Sequence, residues 1–136
     1  MKNILGIMLL CACIARCGSS SSSGSSPNMN VSGDWQFTGH STLFDLTDTG
    51  SAVLQQSGNS VTGTVTLSGT PCATSATVSG SLSGTAFTFQ LEEGNQAVNF
   101  TGTVNSASNS ASGNYTAPSG GCTNGDYGTW SATKIG

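Results

Sequence analysis

A chain of 136 residues is the size of one domain plus its leader, and only 7% of it is charged. Past residue 28 a single cation, Lys134, stands against Asp34, Asp45, Asp48, Glu92, Glu93 and Asp126. That balance excludes a nucleic-acid binder, which neutralises phosphates with clustered Lys and Arg.

The chain opens with one Lys and an apolar run over residues 4–15. The run has the length of a secretory h-region and is too short to span a bilayer. Cys11, Cys13 and Cys17 stand around its end. A run ending this way resembles a bacterial lipoprotein signal, in which a cysteine is lipidated and becomes the mature N-terminus. The pattern asks for apolar residues at −4 and −3 and a small residue at −1. Cys13 fits it, preceded by Leu9, Leu10, Cys11 and Ala12. Cys17 has the more typical tail, GSSSSSGSS, but has Arg16 at −1; Cys11, with Leu10 at −1, fits worst. The resemblance implies a signal peptide over 1–12 (alternatively 1–16) and fatty acylation, palmitate included, at Cys13 (alternatively Cys17). It also implies a lipid-anchored place in the bacterial cell envelope. Residue +2 is not Asp under either choice, which in enterobacterial lipoproteins is compatible with outer-membrane sorting. Residues 13–28 then form a lipidated Ser/Gly-rich tether with no means of burying surface.

From residue 29 to 136 apolar residues alternate with period two, and no helical periodicity appears. The predicted strands are 31–39, 51–57, 60–68, 74–82, 85–92, 96–104, 110–117 and 126–134. Turn signals separate them, among them SGNS at 57–60, EGN at 93–95 and SASNS at 106–110. The pattern apolar–x–Gly–x–apolar recurs as VSGDW (31–35), VTGTV (61–65), VSGSL (78–82), FTGTV (100–104) and ASGNY (111–115), with a looser copy, DYGTW, at 126–130. A glycine on the apolar face of strand after strand has a structural cause: a sheet closing into a small barrel must coil sharply where such residues stand. The fold class expected is all-β, an eight-stranded antiparallel up-and-down meander barrel, with a flattened barrel or a β-sandwich as the alternative.

The connections support closure. The 1–2 loop, the 3–4 loop (GTPCA) and the 7–8 loop (PSGGCTNGD) are long and fall at one end, which becomes the open mouth. Cys72 and Cys122 lie in two of those loops, and an even pair in an exported protein reads as a disulfide. Their bridge would strap and narrow the mouth. Closing about 50 residues of chain stabilises a fold by roughly 4 kcal/mol in the chain-entropy picture.

Gly33-Asp34-Trp35 on the first strand resembles the G-x-W motif of the calycins, the lipocalin-like and avidin-like barrels. In lipocalins that Trp sits at the closed end with a cation from the end of the chain across it. The resemblance therefore implies a barrel floor of Gly33, Trp35 and Lys134, with Lys134 either over the indole or solvated near the terminus. Avidin's biotin-binding residues have no counterpart here. Small barrels of this size are filled by side chains or hold one small ligand. Phe37, Phe87, Phe89, Phe100, Tyr115 and Trp130 are the candidate ligand-lining residues, with Gly63, Gly80, Gly102, Ala111, Gly113 and Ala132 also inward.

Catalytic and metal-binding readings find less support. Asp48-Thr49-Gly50 matches the D-T-G signature of aspartic proteases, but no second copy supplies the other carboxylate, and a turn entering the second strand explains the same residues. His40 is the only histidine, which argues against zinc or a Cys-His nucleophile. Asp45 and Asp48 lack a recognised calcium-loop spacing. The expected protein is thus not an enzyme and uses no cofactor. It binds a small apolar ligand in its barrel or an envelope partner at its open end. The alternative is a filled barrel serving as a structural or interaction module or as a protease inhibitor.

Overall fold

The computed structural model describes residues 29–136 apart from Pro71; the expected signal peptide and tether, with Cys11, Cys13 and Cys17, lie outside the described residues. Eight strands follow in chain order: β1 (Gly33–Ser41), β2 (Thr47–Ser57), β3 (Ser60–Ser68), β4 (Ser75–Ser83), β5 (Ala86–Glu93), β6 (Gln96–Val104), β7 (Ser110–Thr116) and β8 (Tyr127–Lys134). Each pairs antiparallel with its chain neighbours, and β1 pairs with β8, closing the barrel. The sandwich alternative is thereby excluded. Closure removes every free edge from the sheet.

Two boundaries differ from the sequence expectation. β2 starts at Thr47, not 51, because Thr38↔Thr49, Gly39↔Asp48 and His40↔Thr47 continue the ladder with β1. Asp48-Thr49-Gly50 is therefore strand and not a turn, and the first loop shrinks to residues 42–46. Alternation continues through this segment, but its inward members are Asp48 and Gly50, which an apolar count passes over. At the other end, residues 31 and 32 precede β1. Val31 is fully buried and Met29 is 8% exposed, so this short segment crosses and plugs the floor of the barrel.

Every inward apolar residue expected from alternation is buried, from Trp35 and Phe37 through Tyr115 and Trp130. The outer wall is mostly Ser, Thr, Asn and Gln, which is why a domain with so few charges keeps a polar surface. The inward glycines mark close approaches between strands. Gly102 and Gly113 are register partners on β6 and β7. A Cβ at Gly113 would collide with the Thr101 carbonyl, and one at Gly102 with the Ser112 carbonyl. Tight coiling of this kind is what closes so small a barrel.

Candidate functional site

The interior is occupied by aromatic rings. Phe100 stacks on Phe89 at 4.7 Å and on Tyr115 at 5.3 Å, and meets Phe37 edge-on at 5.8 Å. Trp130 stands edge-on to Phe89 at 5.1 Å, and Phe87 lies 4.8 Å from Phe89. These separations are those of favourable aromatic pairs. The six residues singled out as ligand-lining thus line one another. Between them and Trp35 remains an apolar void of about 30 Å³. An apolar cavity that takes up benzene measures about 150 Å³.

At the floor, Trp35 is 2% exposed and stands directly opposite Lys134 across the β1–β8 ladder. The Trp35 indole N–H donates to the Val31 carbonyl at 2.8 Å. Lys134 Nζ donates to the Asn30 carbonyl at 3.3 Å. Gln56 completes the plug: its Oε1 accepts from Val31 N–H at 2.9 Å, and its Nε2 donates to the Met29 carbonyl at 2.9 Å. Gly33 has φ +130°, and a Cβ there would strike the Gly136 carbonyl, so only glycine lets the chain end pass at this point. Gly33, Trp35 and Lys134 therefore meet at one end of the barrel.

The opposite end is the candidate site. Cys72 and Cys122 are disulfide-bonded with Cα atoms 5.4 Å apart, tying the 3–4 connection to the 7–8 connection. The 7–8 loop folds inward: Thr123 is 6% exposed, and its N–H and Oγ1 both donate to Gln96 Oε1, at 3.0 and 2.8 Å. Gln96 Nε2 in turn donates to the Gly120 carbonyl at 2.8 Å. The mouth is consequently covered, and beneath the cover lies a cavity of about 50 Å³ whose wall includes Asp48, Glu93, Phe100, Tyr115 and Thr123.

Around that cavity is a carboxylate network that no local motif announces. Asp126 Oδ1 accepts from Ser41 Oγ at 2.5 Å and from Tyr127 N–H at 2.8 Å, while Oδ2 accepts from the Tyr115 hydroxyl at 2.9 Å. Burial and this bond to Asp126 push the Tyr115 phenol well above its ordinary range. Burial, then the negative charge of Asp126, raises the Asp48 carboxyl. Burial, then Asp48 and Asp126, raises Glu93. Asp48 Oδ1 is buried without a hydrogen-bond partner. Asp48 thus shares the mouth with Glu93 and Asp126, not with a second D-T-G. Among the described residues no group of three or more His, Cys, Asp or Glu is placed to hold a metal.

Ser41 links this network to the rim. Its Oγ accepts from Phe44 N–H at 2.9 Å, and its N–H donates to the Leu46 carbonyl at 2.8 Å. The loop so held presents Leu43, Phe44 and Leu46 each 45–46% exposed, beside Tyr127 at 48%. His40 Nε2 lies 3.9 Å from Asp45 Oδ1 at the same tip. Sequence reasoning placed this loop at the open end but singled out none of its apolar residues. Its signal was available in LFDL, three large apolar residues in a connection where exposure is the rule.

No protein-family model matches this chain, and no curated protein matches it either.

Proposed function

We propose that this protein is a non-catalytic, lipid-anchored module of the bacterial cell envelope, with a filled, calycin-like barrel as scaffold and a partner-binding surface at its mouth. The observation carrying this reading is the packed aromatic interior. Lodging even a small apolar molecule among rings 4.7–5.8 Å apart requires displacing core side chains, and the voids along the axis measure about 30 and 50 Å³. Ligand pockets typically enclose several hundred Å³. By contrast, three large apolar side chains are held out at the rim by hydrogen bonds that fix their loop.

The buried Trp35 facing Lys134 at the floor supports the calycin-like assignment. Acylation at Cys13, or at Cys17, fits a domain whose first described residue, Met29, lies at the floor, at the end opposite the mouth.

In vivo photo-crosslinking tests the function. Benzoylphenylalanine in place of Phe44 is expected to trap a discrete envelope protein, while the same probe in place of Thr103, on the outer wall near the floor, traps none. Absence of any mouth crosslink, together with a ligand copurifying in native mass spectrometry, would overturn the reading in favour of a cavity binder. Labelling with radioactive palmitate in Cys13→Ala and Cys17→Ala chains assigns the anchor.

A further inference from the structure

We infer that the partner engages this mouth through a cationic, amphipathic segment of polypeptide. The inference rests on the mouth being the binding surface and names the chemistry of what binds there.

The acidic residues are not scattered. Asp45 lies in the tip loop, Asp48 near the start of β2, Glu92 and Glu93 at the end of β5, and Asp126 just before β8. All five positions are at the mouth, because β2 and β8 begin there and β5 ends there. Only Asp34 is at the floor, where Lys134, the one Lys or Arg of the described residues, also stands, engaged with the Asn30 carbonyl. The mouth therefore carries carboxylates with no Lys or Arg among them, and His40 beside Asp45 is its one basic side chain. A field of one sign at one end of a small domain selects an occupant of the opposite sign.

Charge alone would describe only an acidic surface, but two further features specify the occupant. The first is the row of apolar anchors. Leu43, Phe44 and Leu46 sit within the acidic field and are fixed by Ser41, which is itself fixed by Asp126. A docked partner must offer apolar side chains alongside its cations. The second is Asp48 Oδ1, a buried acceptor without a hydrogen-bond partner on the wall of the mouth cavity. An unsatisfied buried acceptor is costly, and a donor from outside relieves it. A Lys or Arg side chain can lay its stem along the apolar tip and bring its head group to the surrounding carboxylates.

A bilayer fits less well. A tip of apolar residues can enter lipid, but the surrounding carboxylates are repelled by anionic headgroups. The apolar area on offer is small, so the interface belongs with weak and transient ones, and much of its affinity is screened by salt.

The test uses the full chain in non-ionic detergent and two fluorescent 16-residue peptides. Both carry the same Leu and Phe positions; one has Lys and the other Glu at every polar position. The Lys peptide is expected to bind in fluorescence polarisation at 50 mM salt and to weaken at least tenfold at 500 mM; the Glu peptide is not expected to bind. Phe44→Ser, and separately Asp45→Asn with Glu92→Gln, should each weaken binding about tenfold, whereas Val53→Ser on the exposed outer wall leaves it unchanged. These replacements are of exposed side chains, and circular dichroism checks the fold. Equal binding of both peptides, or Lys-peptide binding indifferent to Phe44 and Asp45, overturns the inference. So does a blue shift of Phe44→Trp emission on phosphatidylethanolamine–phosphatidylglycerol vesicles without peptide, which would place the tip in lipid. A crosslink from position 44 to an acidic partner segment sinks this inference while leaving the mouth-binding function standing; no crosslink at the mouth sinks the function itself.

Discussion

Trp130 occupies the space that a side chain at Gly102 would fill. A Cβ built on Gly102 stands 2.8 Å from the indole Cζ2, and the indole N–H donates to the carbonyl of the neighbouring Thr101 at 3.1 Å. Glycine, ring and carbonyl form one unit: the strand bends where it has no side chain, and the ring packs into the bend.

Gly102→Ala must therefore move the β7 backbone at Ser112 as well as the ring. Overpacking of this kind costs about 1–3 kcal/mol. We expect a lower urea midpoint with an unchanged slope and a shifted near-ultraviolet tryptophan band. Full native stability in Gly102→Ala would show that the ring does not hold the position described.

The core should be least tolerant at Phe100, which touches Phe37, Phe89, Tyr115 and Trp130. Phe100→Ala is expected to cost about 3–5 kcal/mol. Phe100→Leu, which fills more of the space, should cost clearly less. If small apolar molecules such as benzene restore part of the Phe100→Ala loss in a thermal melt, the interior is shown to be fillable by ligand once a ring is removed, and only then.

Cys122 is exposed, so its disulfide with Cys72 is open to reductant while the barrel stays folded. Reduction, or Cys72→Ser with Cys122→Ser, should lower stability by about 2–5 kcal/mol. Hydrogen exchange is expected to quicken in the 7–8 loop around Thr123 and to remain slow in β5 and β6. Uniform quickening through the whole barrel would instead show that the strap holds the fold as well as its mouth.

Stability should respond to acid through Asp48 and Glu93. Their carboxyls are raised above ordinary values of 3.8 and 4.5 by burial and by neighbouring negative charge. Just above those ordinary values the folded protein binds more protons than the unfolded chain. The contribution of these groups to stability therefore falls as pH rises through that window. Asp48 and Glu93 are therefore expected to add stability as pH falls toward those ordinary values, and Asp48→Asn with Glu93→Gln to gain less over that range. A steeper gain in the double variant would mean that these two carboxyls are not the groups taking up protons.

The floor plug makes a local prediction. Gln56→Ala removes the acceptor of Val31 N–H and the donor to Met29 at once. Leaving such groups unsatisfied costs about 1–3 kcal/mol. Protease cutting near residue 30 should accelerate well before the barrel itself unfolds.

Much of the barrel was legible because alternation is a geometric rule. Once Trp35 is inward, Phe37 must be, and the same parity carries through Val61, Val65 and Leu67. The disulfide followed from parity of another kind, since two cysteines in alternate loops fall at one end. What stayed hidden depends on contacts far apart in sequence. Ser41 and Asp126 are 85 residues apart, and nothing around Ser41 or in DYGTW points to their contact. Val31 looked like the first residue of a strand because its neighbours alternate, yet its N–H is taken by the Gln56 side chain and not by a ladder. The Asp48 segment was read as a turn because Asp, Thr and Gly favour turns; pairing with β1 overrides that preference.

The floor plug also decides how this molecule carries load. Residues 29–32 are not a loose lead into β1: they are held by Gln56 from β2, by the Trp35 indole and by Lys134 from β8. A pull applied through the chain ahead of Met29 meets those side-chain bonds before it reaches any strand. They are expected to part before the ladders of β1, as a mechanical fuse does. A domain tugged from below and gripped from above would thus lengthen slightly and recover, its barrel intact.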